Sequence, residues 1–295
     1  MSRLPSYPFA ERWELTDVLH GQTVADPYRW LEQTDLAATK EWSQSQDALF
    51  TAASAMWSAT DWFRTRLRAL MNAGSVGAPV WRGQRRLFVR RAADQEHAVL
   101  YVQDGSGPER VLIDPTELNP EGTTTLDSWV VDWEGRLLAY QLSDNGDEQS
   151  RLWVMDIDTG ENIDGPIDRC SYSPVAWLPG RDAFYYVRRL APELVPEGEE
   201  QYHRRVYLHR VGTSPEEDTL IFGEGRDKTE YFGVAVSRDG RWLTLTASPG
   251  TAPRNDAWIA DLTVSAPEAP RFTEIQTGVD AETFPHVGRD GRLYL

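Results

Sequence analysis

The chain has 295 residues, 40 % of them apolar and 26 % charged, with a formal net charge of −16. That much apolar material supports a packed core and excludes wholesale disorder. The excess of acid opposes binding to nucleic acid or to an anionic membrane surface. Twelve Trp, 11 Tyr and 9 Phe, alongside 22 Gly and 18 Pro, favour many short strands over a helix bundle.

In chain order, residues 1–36 show no periodicity, with Pro5, Pro8 and Pro27 as punctuation, and are expected to be irregular. No apolar leader opens the chain, and no run reaches the ~18 apolar residues that cross a bilayer. Cys170 stands alone, so an intrachain disulfide and a Cys-based zinc site are ruled out. These features set the expectation of a soluble cytoplasmic protein. From Leu36 to Leu70 the pattern becomes helical. Trp42, Leu49, Phe50, Ala53, Met56 and Trp57 recur at three- and four-residue steps, and Trp62, Phe63, Leu67 and Leu70 form a second stripe. Thr60 or Asp61 is expected to cap the second helix, and Asn72–Gly77 to be a linker.

After residue 77 a repeat replaces the helical pattern. Gly83, Gly135, Gly180, Gly240 and Gly291 each sit in a polar turn before an apolar strand, clearest in Ser237-Arg-Asp-Gly-Arg-Trp242 and Gly288-Arg-Asp-Gly-Arg-Leu293. A second landmark, a strand with an aromatic at a fixed place, carries Tyr101, Trp153, Tyr207 and Trp258. Two landmarks in step at about fifty residues fit the blades of a β-propeller. The fold class is therefore mostly β: an incomplete propeller of about four four-stranded blades and the start of a fifth, after an N-terminal α-helical segment. The expected domains are residues 1–76 and 77–295. The blades are placed at about 78–120, 124–166, 168–223 and 227–276, with a fifth beginning at 278–295. Blade three holds the longest insertion, Leu190 to His203. Because open sheet edges are normally removed by closure, the chain is expected to be the front part of a longer protein.

Chemistry is sparse. No G-x-S-x-G elbow exists; Gly74-Ser75-Val-Gly77 has the wrong spacing. His20, His97, His203, His209 and His286 form no metal-ligand motif. The acids concentrate in turns such as Asp144–Glu148, where neither a glycosidase pair nor a complete calcium loop stands out. Cys170 is expected to be a buried apolar residue. The residues alone therefore assign no catalytic group, no metal site and no cofactor.

The head of the chain is more specific. Tyr7-Pro8, His20-Gly21, Val24-Ala-Asp26-Pro-Tyr-Arg-Trp-Leu-Glu32, Thr39-Lys-Glu-Trp42 and Gln46 resemble the N-terminal signature of the prolyl oligopeptidase family. Tyr172-Ser-Pro-Val-Ala-Trp177, Tyr207–Thr213 and Ser237–Gly240 resemble the family's propeller strands in order, so the resemblance covers essentially the whole chain. It implies a serine endopeptidase in which the propeller admits short peptides to a C-terminal α/β-hydrolase domain that also packs on the N-terminal segment. The family's Ser-Asp-His triad follows the propeller, so no catalytic residue carries over and this chain alone is expected to be inactive. Tyr172 matches a substrate-facing aromatic position where the family pattern has Phe, with an inner-strand aromatic as the plainer alternative. Tyr231 matches a second cavity-facing position. Where some members carry a reactive cysteine, this chain has Ala260. Two alternatives stay open: a non-enzymatic propeller that binds peptides or proteins, and the related oligopeptidase that cleaves after basic residues.

The head also implies an unfilled packing requirement. Each large side chain among Trp42, Phe50, Trp57, Trp62 and Phe63 gains roughly 1.5–3 kcal/mol on burial. Blades bury their faces on one another, so this surface is expected to need the hydrolase domain or to promote association.

Overall fold

The computed structural model describes residues 6–295, so Pro5 and the residues before it lie outside the described part. The chain forms two compact units that meet in sequence at Ala73 and Gly74.

The first unit opens with a hairpin, not the irregular segment expected. Strands β1 (Thr16–Leu19) and β2 (Gln22–Ala25) pair antiparallel around His20-Gly21. His20 has φ 52° and Gly21 φ 78°, the left-handed pair that a two-residue turn requires. The hairpin strands carry no apolar alternation because three of the four β1 residues and all of β2 are exposed. Arg29 clamps the hairpin through Asp17 and through Asp26, the latter at 2.7 Å. Trp30 is buried, and its indole N–H donates to the Glu11 carbonyl at 2.9 Å. The Asp26–Glu32 motif therefore encodes a local clamp and an aromatic anchor.

Helices α1 (Ala37–Ser54) and α2 (Thr60–Met71) follow. The expected cap is corrected: Ala59 occupies the N-cap position of α2 without a side-chain bond, and Thr60 is already helical. Asp61 instead contacts Arg64 within the first turn, where a negative charge favours the helix dipole. Neither helix has a buried residue. Phe50, Trp57, Trp62, Phe63, Leu67 and Leu70 are all more than half exposed. Phe50 and Trp57 meet edge to face at 5.7 Å.

The second unit is a series of antiparallel sheets, each running in chain order. The first holds β3 (Ser75–Val76), β4 (Val80–Arg82), β5 (Arg85–Arg91), β6 (Val99–Asp104) and β7 (Glu109–Ile113). β3 and β4 both pair with β5, so one inner strand is interrupted at 77–79, where Pro79 has no N–H to donate. Ser75 and Val76, expected in a linker, belong to this sheet. A short helix α3 (Pro115–Leu118) leads to β8 (Thr124–Val131), β9 (Leu137–Asp144), β10 (Arg151–Asp156) and β11 (Asn162–Ile167). The third sheet is β12 (Val175–Trp177), β13 (Ala183–Arg189), β14 (Arg204–Arg210) and β15 (Thr219–Phe222). The fourth is β16 (Glu230–Val236), β17 (Trp242–Pro249), β18 (Asp256–Asp261) and β19 (Phe272–Gln276). A two-stranded ribbon, β20 (His286–Val287) and β21 (Leu293–Tyr294), ends the described chain.

Both sequence landmarks occupy equivalent places in all four sheets. The turn glycines have positive φ, and at Gly135 a Cβ would lie 2.8 Å from the Arg82 Cβ, so glycine is required there on two counts. The repeated aromatics lie on the third strand of each sheet. Tyr101 stands opposite Phe88 at 5.7 Å, Trp153 opposite Tyr140 at 5.8 Å and Tyr207 opposite Tyr186 at 6.1 Å. Leu245 faces Trp258 in the fourth. In each sheet the pairing with the outermost strand slips at or beside this aromatic. Such bulges increase twist and are repeated here with the blade.

Four apolar cores fill the spaces between neighbouring sheets. One joins Leu87, Leu100, Leu138 and Tyr140; the next joins Leu137, Leu152, Trp177 and Phe184; two more hold the third sheet against the fourth through Tyr185, Leu243, Val187 and Leu245. β13 is buried along its whole length because it is covered on both faces. The innermost strands β8, β12 and β16 lie side by side, which is where a propeller holds its central cavity. The fold is thus mostly β and of propeller type.

Candidate functional site

Tyr172 lies not on an inner strand but in the turn that feeds β12, with φ 57°. A non-glycine residue there is strained by roughly 1–2 kcal/mol, so surrounding contacts must hold it. They are visible. The Tyr172 hydroxyl donates to the Glu148 carboxylate, and Ser171 Oγ donates to the Glu148 carbonyl at 2.5 Å. The Cys170 N–H donates to the Ser150 carbonyl at 3.0 Å. Glu148 itself has φ 55°, so two tight turns from the second and third sheets latch together. The bond to Glu148 raises the Tyr172 pKa above the usual phenol range.

Tyr231, on β16, meets Tyr172 edge to face at 6.3 Å. The tertiary structure brings the two sequence candidates together from different sheets. Both are accessible, Tyr172 at 61 % and Tyr231 at 38 %. Arg204, at the start of β14, places its guanidinium carbon 3.8 Å from the Tyr231 ring centroid, well within cation–π range.

Tyr172 lines a cavity of about 570 Å³ together with Asp127, Gln141, Ser150, Ser173 and Phe232, and Tyr231 is next in sequence to Phe232. The cavity wall is wired by side-chain hydrogen bonds that join neighbouring sheets. Gln141 Nε2 donates to the Ser173 carbonyl at 2.7 Å, and Ser173 Oγ accepts from the Val187 N–H at 2.9 Å. Asp127 accepts from the hydroxyls of Thr125, Ser143 and Ser150 at 2.8, 3.0 and 2.7 Å. Phe232 supplies buried apolar floor. Beside it Gly233 keeps β16 close to β17, because a Cβ there would come within 2.5 Å of Thr246 Oγ1. Apart from Ser173, which lies in the Tyr172–Trp177 stretch, no local motif marks these residues; strands and turns of neighbouring sheets assemble them.

The other candidates for chemistry are occupied elsewhere. Cys170 is fully buried, burial pushes its thiol pKa up, and Sγ donates to the Asp168 carbonyl at 3.3 Å. His97 contacts the Gly122 carbonyl at 2.8 Å, and His203 contacts Glu199 at 2.7 Å. His209 sits between Asp164 and Asp218 at 2.9 and 2.7 Å. In the Asp144–Glu148 turn, Asp144 engages Thr124 and Arg151 while Glu148 engages Tyr172. Among the described residues, no group of three His, Cys, Asp or Glu side chains is placed to hold a metal ion. Among them too, no serine, threonine or cysteine donates to a histidine. No helix among them is long and apolar enough to cross a membrane.

Comparison with known proteins agrees with this architecture. The family model described as "Prolyl oligopeptidase, N-terminal beta-propeller domain" matches residues 7–293. A prolyl endopeptidase of Elizabethkingia meningoseptica is 30 % identical over 281 residues, covering 95 % of this chain and 39 % of that protein. One from Elizabethkingia miricola is 30 % identical over 275 residues, covering 92 % and 39 %. The chain thus spans about two-fifths of the length of these relatives. Among solved structures, a prolyl endopeptidase superposes with a TM-score of 0.85 at 31 % identity, covering 97 % of this chain and 42 % of that one. Prolyl oligopeptidase B from Galerina marginata, bound to a 35mer hydrolysis and macrocyclization substrate, gives 0.83 at 20 % identity, a likeness of fold, covering 98 % and 44 %. With clamp motif, blade repeat and family match agreeing over nearly its whole length, this chain belongs to the prolyl oligopeptidase family, as its N-terminal β-propeller domain.

Proposed function

We propose that this chain is the N-terminal segment and first propeller portion of a prolyl oligopeptidase-like serine endopeptidase. In this reading the propeller gates the access of short peptides to an α/β-hydrolase domain that supplies the Ser-Asp-His triad. Residues 1–76 form the segment that packs on that domain, and residues 77–295 the partial propeller. The exposed apolar stripes of α1 and α2 are the surface such packing needs. Tyr172 and Tyr231 are the peptide-contacting side chains, and the working compartment is the cytoplasm.

The observation that carries the reading is the cavity lined by Tyr172, which Tyr231 meets edge to face, with no hydroxyl or thiol joined to a histidine among the described residues. It is a place to hold a peptide, and the hydrolytic step needs a base-activated nucleophile and an oxyanion hole from elsewhere. Cleavage after proline is favoured over cleavage after basic residues. The Asp127 carboxylate is already engaged by three hydroxyls, and the charged group on Tyr231 is an arginine, which repels a cationic side chain.

The test uses the purified chain and a proline-containing chromogenic peptide. We expect no chromophore release and measurable equilibrium binding, weakened about three- to tenfold in Tyr172→Ala, on the scale of a lost aromatic contact. Hydrolysis by this chain that a serine reagent abolishes, or absence of binding, overturns the reading.

A further inference from the structure

Arg189 and Arg204 are directly opposed in the β13–β14 register and are 6 % and 5 % exposed. Directly opposed residues of an antiparallel pair share one face, so two cations are held side by side out of water. Neither forms an ion pair with a carboxylate among the described residues, in a chain whose net charge is −16. The nearby acids are committed elsewhere. Asp168 serves Arg188 and Arg169, Glu230 serves Arg226, Glu199 serves Lys228 and His203, and Glu148 serves the Tyr172 hydroxyl. Arg189 Nη2 reaches only neutral acceptors, the Gln149 side chain and Ser171 Oγ. Arg189 Nε and both Nε and Nη1 of Arg204 are buried N–H groups without an acceptor. Buried guanidinium groups normally have full complements of acceptors, because a missing one leaves the desolvation cost uncompensated. Burial lowers the pKa of both, and Arg204 adds to the effect on Arg189.

The location gives this deficit a use. Arg204 lies under the Tyr231 ring, and Arg189 touches the residue preceding Tyr172. The two cations therefore back the tyrosine pair, of which Tyr172 lines the cavity. We propose that Arg189 and Arg204 form a carboxylate-binding subsite that takes an acidic group of a peptide lying against the Tyr172–Tyr231 pair. A carboxylate offers about four acceptor positions and suits the guanidinium fork, which matches the donors left over here. The carboxylate is either the peptide's C-terminus or a Glu or Asp side chain. The inference rests on the peptide-binding reading above and adds a charge preference to it.

The experiment is calorimetric titration of the whole chain with three acetylated, proline-containing peptides of one length. One has a free C-terminal carboxylate, one a C-terminal amide, and one an amide with a glutamate replacing a neutral residue. At least one acidic peptide is expected to bind about tenfold or more tighter than the neutral amide, the scale of charge-assisted hydrogen bonds; which one does so identifies the source of the carboxylate. In Arg189→Met and Arg204→Met the three peptides should bind alike. The melting temperature should hold or rise, because a purely structural arginine would lower it when removed. Equal binding of acidic and neutral peptides by the unmodified chain overturns the subsite and leaves the peptide-binding reading intact. This comparison needs no variant to fold. A preference that survives in both variants also overturns the subsite. Failure of all three peptides to bind overturns the peptide-binding reading and the subsite with it.

Discussion

His209 Nε2 on the third sheet lies 2.9 Å from Asp164 Oδ2 on the second, while its Nδ1 lies 2.7 Å from Asp218 Oδ1. The imidazole is wholly buried, and Asp164 also accepts the Gly212 N–H at 2.5 Å while Asp218 accepts the Tyr186 hydroxyl at 2.6 Å. An imidazolium between two carboxylates thus bridges neighbouring sheets. Burial alone would lower its pKa, but the bonds to Asp164 and then Asp218 outweigh burial and push it up to about 9.

This bridge makes a pH prediction. A histidine raised in the folded state contributes stability that is fully present below its unfolded pKa of about 6.5 and is lost as pH rises through the folded value. Denaturant unfolding should therefore show stability falling between pH 6.5 and about 9. His209→Ala should lose about 3–5 kcal/mol at pH 6.5, because two buried carboxylates are left without their cation, and should flatten that slope. An unchanged slope in the variant would show that other groups set it.

The turn glycines allow a paired test. Gly180 and Gly135 both have positive φ, but a Cβ at Gly180 meets nothing within 4 Å while one at Gly135 meets Arg82 Cβ at 2.8 Å. Gly180→Ala should cost about 1–2 kcal/mol from backbone conformation alone. Gly135→Ala should cost a further 1–3 kcal/mol, roughly, from overpacking between the first two sheets. Equal losses in thermal melts would mean the loop moves freely away from Arg82.

Trp30 anchors the first unit. Trp30→Ala should cost about 3–5 kcal/mol in that unit, read as protease cleavage within residues 6–36 at concentrations that leave the unmodified chain intact. Cleavage confined to the second unit would contradict this placement.

The stripe of Trp57, Phe63 and Leu67 lines a cavity of about 640 Å³ on α2 and the turn before it. The purified chain should bind a hydrophobic dye and elute from size exclusion as larger than a monomer. Phe63→Ser with Leu67→Ser should suppress both without loss of thermal stability, since neither side chain is buried in the fold. A clean monomer that binds no dye would show the stripe is not adhesive.

Cys170 should resist thiol reagents in the native chain and label only at the rate of unfolding, because its sulfur is buried and its thiolate disfavoured. Rapid native labelling would place it at the surface.

Local periodicity was enough to determine the blade repeat and both helices, and residue type alone the buried thiol. Turn glycines and strand aromatics act through backbone conformation and nearest-strand pairing, which operate over a few residues. The hairpin at His20-Gly21 stayed hidden because its exposed strands carry no apolar alternation, and the cap at Ala59 because no side chain makes it. The tyrosine pair was suggested only by family likeness. Its meeting, the strained turn that presents Tyr172, the Asp127 hydroxyl cluster and the opposed Arg189 and Arg204 were decided by the stacking of one sheet on the next. Those contacts join residues tens of positions apart, and no short-range pattern in a single chain encodes which side chains adjacent blades will bring face to face.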